Sequence, residues 1–545
     1  MATENPSPNE ATAVLDSAHT GDIRGAFGTI GQHDLGARSS LKARLLTLLA
    51  IMGPGLIVMI GDNDAGGVST YAQAGQNFGL SLLWTLPLLI PVLVVNQEMV
   101  VRLGAVTGVG HARLINERFG RFWGAFSVGD LFILNFLTIA TEFIGVSLSL
   151  GYLGVSQYIS VPVAAAALIL MTASGSFRRW ERFMFVFVFA NFLVIPLVIM
   201  RHPSVGPVVH GFVSPGVRGG FNSTSVLLIM AIVGTTVAPW QLFFQQSNIV
   251  DKRITPRWIN YERTDTVLGS FITVFAAAIL VVVVATAFGP TPLAGHFQNG
   301  AAVAAGLHRY VGRAAGVIFA VILLNASIIG AASVTLATSY AFGDMFGAKH
   351  SLHRHWRDAK FFYGVFSAMV ILAAGIVVIP GAPLGLITTS VQALAGVLLP
   401  SATVFLLLLC NDREVLGPWV NRTWLNVVAS IIVGVLLMMS LVLMITTLFT
   451  SIDVAQLAVV LGIVFVAVFL VAGVVLVIRR RGVPAEPEPA PGYRATWRMP
   501  PINLLHRPRW SRGTLVGMYV LRGYLVVAVA MLLVKAIELG LHHHA

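Results

Sequence analysis

The sequence predicts an all-α integral membrane protein with about a dozen spans. Three observations predict it. Only 11% of the 545 residues are charged and 56% are hydrophobic, where soluble globular domains run about 25% charged. The apolar residues fall in runs of about 20, the length that crosses a hydrocarbon core. Two of those runs are interrupted at their middles by carboxylates, glycine or proline. The same composition excludes a disordered chain, which is polar and charge-rich.

Candidate spans lie at 45–79, 82–101, 123–150, 159–174, 183–200 and 224–250, then at 265–288, 311–342, 361–380, 384–410, 424–449 and 453–478. A last segment, 514–539, carries Arg522 and Lys535 and is either a thirteenth span or a helix partly at the interface. The net charge of +12 invites a nucleic-acid reading until the charges are placed. Arg102, Arg113, Arg118 and Arg121 follow span two, and Arg178, Arg179 and Arg182 follow span four. Lys252, Arg253, Arg257 and Arg263 follow span six, and Lys349, Arg354, Arg357 and Lys360 follow span eight. Arg413 and Arg422 follow span ten, and Arg479, Arg480 and Arg481 follow span twelve. The alternate loops hold Arg201, Arg218, Arg309 and Arg313 and little else. This alternation is the positive-inside pattern. It predicts a multi-pass protein of the cell membrane with a cytoplasmic N-terminus and no nucleic-acid partner.

The first ~40 residues are polar, with no short apolar core before a small-residue cleavage site, so no cleaved signal peptide is expected. Cys410 is the one cysteine, so no intramolecular disulfide is possible. The segment 482–511 opens Pro-rich (VPAEPEPAPG) and continues basic, with Trp497, Trp510 and Leu504–Leu505. It reads as an extended connector, with contact to anionic headgroups as the alternative. His542, His543 and His544 read as a tail.

The first interrupted span reads IMGPGLIVMIGDNDAGGVSTYAQAGQNFGL. Asp62, Asn63 and Asp64 lie at its centre, and a carboxylate there costs ~2.5 kcal/mol or more. Gly66 and Gly67 follow and are poor helix formers. A helix that unwinds at mid-membrane, with free carbonyls lining a cavity, accounts for both. The sixth span reads SVLLIMAIVGTTVAPWQLFFQQSNIV, where Pro239 removes a donor just after Gly234, Thr235 and Thr236. Breaks in spans one and six, five apart, point to a transporter built from inverted repeats. Spans one to five would form one half and six to ten the other, with the site where the breaks meet. Carbonyl ends and a carboxylate suit a cation. Asp64 is read as a ligand and as the N-cap of the second half-helix. Asp62 is read as a hydration or structural residue.

At these residues the chain resembles the Nramp family of divalent-metal transporters, over roughly residues 43–450. Asp64-Ala65-Gly66-Gly67 stands where that family has Asp-Pro-Gly-Asn, and RLGAVTGVGHARLINERFG (102–120) resembles its loop after the second helix. VAPWQLFFQ (237–245) stands where it has Val-Met-Pro-His-Asn-Leu-Tyr-Leu-His, and VQALAGVLLP followed by CNDREVLG resembles its tenth helix and exit. The resemblance implies a LeuT-type fold of two inverted five-helix repeats with additional C-terminal helices. The expected divisions are 1–42 (cytoplasmic segment), 43–200 and 201–410 (the two repeats), 411–480 (spans eleven and twelve), 481–512 (linker) and 513–545.

The resemblance also implies a metal site. Asp64 falls on the family's coordinating Asp, Gly67 on its Asn, Ala238 on its Met and Thr235 on a contributing carbonyl; Gln392 falls on the tenth-helix Gln. Thr236 and Gln241 are expected around the hydrated ion. The family's soft thioether and its Asn are therefore missing. A soft ligand favours transition metals, and Mg²⁺ keeps several waters. The pattern resembles the Nramp-related magnesium transporters. Trp240 and Gln245 occupy the positions of the proton-coupling His pair, and neither titrates near neutrality. Glu142 remains on the third span, as a relic, a proton site or, the favoured reading, an anchor beside Asp64.

The expectation is thus a secondary transporter of Mg²⁺, also carrying Mn²⁺, without obligatory proton coupling and with no bound cofactor. The alternatives are a proton-coupled Mn²⁺ or Fe²⁺ importer, a carrier of a trivalent cation such as Al³⁺, and an amino-acid transporter on the same fold. Asp64 would repel an amino acid's carboxylate. No enzyme is expected: the glycines of GVGHA (108–112) lie in a short loop without a βαβ context.

Overall fold

The computed structural model describes residues 16–379, 384–449, 451–480, 492–506, 508, 515–524, 526–527 and 530. Most of the 514–539 segment, residues 482–491 of the linker and His542–His544 lie outside them.

The described chain opens with a two-stranded antiparallel hairpin, β1 (Ile23–Arg24) and β2 (Thr29–Ile30). Helix α1 (Leu41–Ile51) follows, capped by the Ser40 hydroxyl, which accepts from Ala43 N at 3.1 Å. α2 (Pro54–Gly61) and α3 (Ala65–Phe78) come next. The expected single span over 45–79 is corrected here in two ways. α1 bends 53° away from α2, because Gly53 has φ +152°, a conformation open to glycine. And the unwound stretch is Asp62–Asn63–Asp64, not the glycines; Gly66 and Gly67 lie in the first turn of α3.

α4 (Thr85–Thr107), α5 (His111–Phe119), α6 (Arg121–Tyr152) and α7 (Gln157–Thr172) follow. α8 (Phe177–Ala190) and α9 (Val194–Arg201) together make the fifth span, and α10 (Val205–Val213) is a short connector. α11 (Ser223–Thr236) and α12 (Pro239–Asp251) are the halves of the sixth span. α13 (Ile259–Phe288), α14 (Gly300–Tyr310), α15 (Arg313–Phe346), α16 (Lys360–Val377) and α17 (Leu384–Cys410) lead to the tenth. α18 (Arg413–Leu416), α19 (Thr423–Leu448), α20 (Val454–Arg480) and α21 (Tyr493–Thr496) complete the labelled helices.

Among the described residues, ten helices are long and apolar enough to cross a bilayer, and the 16-residue α7 is a shorter apolar helix. Several begin or end beyond the sequence-based limits for one reason. Charges taken as span ends are buried inside helices with partners. Arg102 lies within α4, donating to Trp419 O and Asn421 Oδ1. Glu181 lies within α8, and Asp265 within α13 accepts three backbone N–H groups.

Packing follows a pseudo-symmetric pattern. α6 packs along α15, α2 and α3 on α13, and α12 on α4. In span numbers, three meets eight, one meets seven and six meets two, as an in-plane two-fold axis requires. The outer helix α20 packs on α19, where Gly434 lies against Phe465 and Phe469. Its Val459, Val460, Ile463 and Val464 face outward, as a lipid-exposed helix does.

The basic C-terminal segment docks on protein. Met499 is fully buried and its N–H donates to Val106 O at 3.2 Å. Arg498 donates to Ala105 O at 2.6 Å, and Trp497 lies over Gly417. The helical stretch at 515–524 docks as well: Tyr524 donates to Val397 O at 3.0 Å.

Candidate functional site

At the first break, Asp62 closes α2 and Asp64, with extended backbone, opens α3. The Asp64 Oδ1 accepts from Gly67 N at 2.7 Å, satisfying one of the free donors at a helix start. The Ala65 N–H donates to Glu142 Oε2 on α6 at 3.0 Å. Asn63 turns the other way and donates to Thr273 O on α13 at 3.1 Å, while Thr273 Oγ1 donates to Met59 O at 2.6 Å. The break is therefore held by α6 on one side and α13 on the other.

At the second break, α11 ends at Thr236, and Val237 and Ala238 are non-helical. Pro239 takes the first position of α12, where its missing N–H leaves nothing unsatisfied. Thr236 is bound to Tyr71 of α3 at 2.8 Å.

Glycines show how closely the two breaks meet. A Cβ on Gly67 would lie 2.9 Å from Thr235 Oγ1 and 3.1 Å from Asp62 O. A Cβ on Gly66 would coincide with the Gln392 amide, 1.6 Å from Nε2. One on Gly234 would lie 2.1 Å from Gln392 O, so α17 presses against both breaks. The structure thus brings Asp64, Gly67, Thr235, Gln392 and Glu142 together. Ala238 opens α12 with a side chain too short to reach a ligand.

All these residues are buried, yet several polar atoms have no partner among the described residues. They include Gln392 Nε2, Asn63 Oδ1 and Gln97 Oε1, while Thr235 and Glu142 reach Asp64 and Gln241 reaches Asp62. Buried polar groups are normally paired, so unpaired ones converging at two helix breaks mark a place that a solvated ion can fill. The donors are hard oxygens: carboxylate, hydroxyl, amide and free carbonyl. Among the described residues no three His, Cys, Asp or Glu side chains converge on one point.

The two replaced His positions have separate fates. Trp240 is buried with its ring edge 3.5 Å from a Cβ on Gly61, so it fills the space between α12 and α2. Gln245 lies farther along α12 and donates to Thr266 Oγ1 at 2.8 Å. Sequence reasoning missed Tyr71, Gln97 and Gly330, because nothing distinguishes a Tyr, Gln or Gly in an apolar helix until its neighbours are known. Gly330 of α15 backs the site: a Cβ there would lie 2.6 Å from Glu142 Oε2 and 2.8 Å from Asp64 Cβ. Gly330→Ala is expected to displace both carboxylates, at a strain of about 1–3 kcal/mol, and to raise the KM for the cation. Gly364→Ala, with nothing within 4 Å, is the control. Equal uptake kinetics of the two variants would show that Gly330 does not position the site.

Comparison with known proteins adds the lineage. The family model described as natural resistance-associated macrophage protein-like matches residues 55–446. The divalent metal cation transporter MntH of Xylella fastidiosa (strain Temecula1) is 27% identical over 470 residues, covering 82% of this chain and 93% of the relative. MntH of Staphylococcus aureus (strain Mu3) is 25% identical over 436 residues, covering 75% and 93%. Among solved structures, a manganese transporter of Eremococcus coleocola, in complex with an aromatic bis-isothiourea compound, aligns with TM-score 0.61 at 19% identity. It covers 80% of this chain and 94% of that one. That likeness shows the fold, the LeuT-type arrangement the resemblance implied.

Proposed function

The chain belongs to the Nramp family, a family of membrane transporters and not of enzymes, and on that premise we propose that it carries Mg²⁺, with Mn²⁺ as a second substrate, without obligatory proton coupling. It is a divalent metal cation transporter. Its cation binds at the unwound centres of spans one and six. The observation that carries the Mg²⁺ reading is the donor set at the two breaks. Asp64, with Glu142 behind it, supplies the carboxylate at the junction, and the remaining groups are Thr235, Gln392 and backbone oxygens. Ala238 and Gly67 stand where the family places a thioether and an amide. Without the soft ligand, the preference for transition metals over Mg²⁺ is lost. With two fewer side chains, the space favours an ion that keeps its waters.

Coupling follows from the same comparison. Trp240 is packed against α2 and Gln245 is bonded to Thr266, so neither position offers a titrating ring. Uptake is then driven by voltage. An inside-negative potential of 100 mV favours a divalent cation by roughly 4.6 kcal/mol. The positive-inside alternation supports a cytoplasmic N-terminus.

Proteoliposomes test the reading directly. Mg²⁺ uptake should rise with an inside-negative potential and leave internal pH unchanged. Ala238→Met should restore the soft ligand and raise the affinity for Cd²⁺ by about tenfold relative to Mg²⁺. No Mg²⁺ flux in the wild type, or Cd²⁺ outcompeting Mg²⁺ without the substitution, would sink the proposal. Glu142 favours a second reading, proton-coupled Mn²⁺ transport, because its carboxyl is hydrogen-bonded to that of Asp64, a contact that needs a proton between the two. Internal acidification that tracks Mn²⁺ uptake and disappears in Glu142→Gln would establish it instead.

A further inference from the structure

Asp62 is a further buried carboxylate at the first break, beside Asp64 and Glu142, and it neither caps nor braces a helix. Asp62 is fully buried, and the side chain that reaches it is the Gln241 amide of α12, with no cationic group beside it. It does not cap α3; Asp64 does that. It does not brace α13; Asn63 does that. An unpaired carboxylate inside a membrane is expensive, and residues of this kind mark ion pathways.

The Asp64 carboxylate stands close enough to bear on Asp62 through its charge, and the Gln241 side chain hydrogen-bonds to Asp62. Gln241 lies in the first turn of α12 and accepts from Gln97 Nε2 of α4 at 3.0 Å. With its Oε1 taken, Gln241 has its Nε2 for Asp62, and Gln97 Oε1 is left unpartnered among the described residues. So a carboxylate without a cation, the amide donor facing it and a free amide acceptor, all buried, stand together between three helices.

The position along the membrane is also defined. α2 and α12 converge at their far ends, where Lys252 Nζ donates to Ile51 O and Met52 O at 2.7 and 2.8 Å. Asp62 and Gln241 lie at the opposite ends of these half-helices, at the breaks. Gln97 lies ten residues before the end of α4, about 15 Å at ~1.5 Å per residue. The next residue, Glu98, pairs with Arg263 at 2.5 Å and with Arg102 at 3.0 Å. The three helices that carry these groups therefore lead from the breaks to the Arg- and Lys-rich end of the bundle, and Glu98, one residue farther along α4, is paired with two arginines.

We propose that Asp62, with Gln241 and Gln97, forms a second cation station, reached from Asp64 on the route toward the Arg- and Lys-rich end and engaging the ion through its waters. The proposal rests on reading the junction of the breaks as a cation site. It adds that two carboxylates, used in succession, handle the ion. One carboxylate and one free amide oxygen match a hydrated ion, whose metal-bound waters donate to Asp62 and to Gln97 Oε1 while Gln241 Nε2 holds Asp62 in place.

The experiment measures Mg²⁺ uptake and thermal unfolding of the full-length wild type and of Asp62→Asn, Gln97→Leu, Gln241→Leu and Asp64→Asn. Asp62→Asn preserves shape and removes charge. It should raise the KM for Mg²⁺ or lower the maximal flux by about tenfold, the scale of one lost charge-assisted contact, at an unchanged melting temperature. Gln97→Leu should impair flux in the same direction. Wild-type kinetics in Asp62→Asn, the result for a carboxyl that is merely protonated, overturns the station. If Asp62→Asn does not fold, Gln241→Leu decides in the same way. Wild-type flux in Asp64→Asn overturns the site reading instead, and so separates the two failures.

Discussion

Asp64→Ala is expected to abolish saturable uptake of both Mg²⁺ and Mn²⁺. The side chain has two tasks, and they can be separated. Its Oδ1 caps α3 through Gly67 N, and the carboxylate is the charge that the two breaks surround. Alanine removes both, so Asp64→Ala also loses about 1 kcal/mol of capping. Asparagine caps as well as aspartate but carries no charge. Asp64→Asn should therefore melt close to the wild type while its divalent-cation affinity falls by about a hundredfold, since charge count sets affinity in oxygen-ligand sites. Titration calorimetry with Mg²⁺ and vesicle uptake read the two effects. Wild-type affinity in Asp64→Asn would place the ion elsewhere.

The largest stability loss is expected from Lys252→Met. The Lys252 ammonium is fully buried, 2.5 Å from Glu181 Oε1, and it also holds the carbonyls of Ile51 and Met52. Glu181 Oε2 in turn accepts from Ala26 N of the N-terminal hairpin segment. Gly53 has no room for a side chain: a Cβ would lie 2.1 Å from Glu181 Oε1. Asp265 completes the cluster by accepting from Gly53, Gly55 and Leu56 N–H at 2.9–3.2 Å. Four spans and the N-terminal segment thus meet at one ion pair. Removing one partner leaves a buried charge, and breaking such a pair costs about 3–5 kcal/mol. The double variant Lys252→Met/Glu181→Met should recover part of the loss, because the orphaned charge goes too. Denaturation in detergent measures both. A single variant within about 1 kcal/mol of the wild type would mean the pair is not structural.

Much of the site was legible because the membrane makes polar residues conspicuous. Asp62, Asn63 and Asp64 in an apolar run, and Pro239 in another, marked two breaks without any knowledge of packing. The same logic misjudged helix ends. Arg102 reads as a loop charge, Glu181 falls outside the span expected at 183–200 and Asp265 on the first residue of the one expected at 265–288, since a charge at a span boundary usually faces water. Each is instead buried with a partner remote in sequence, and no local rule supplies that partner. The glycines were misread for a related reason. Gly66 and Gly67 looked like helix breakers, whereas both are helical and are glycine because Gln392 and Thr235 approach them closely.

The sequence carried the class, the approximate spans and the two breaks, because hydropathy, charge asymmetry and backbone chemistry are properties of short segments. It also determined the absence of a thioether and of a titrating His pair at the positions the family uses. Only the tertiary structure decided which polar groups face one another. Gln392 against Gly66, Glu142 on the Ala65 N–H, Gly330 behind both carboxylates, and the Asp62 carboxylate beside Gln241 depend on helices far apart in the chain. Those juxtapositions arise from packing, which is cooperative across the bundle and leaves no signature in any one segment.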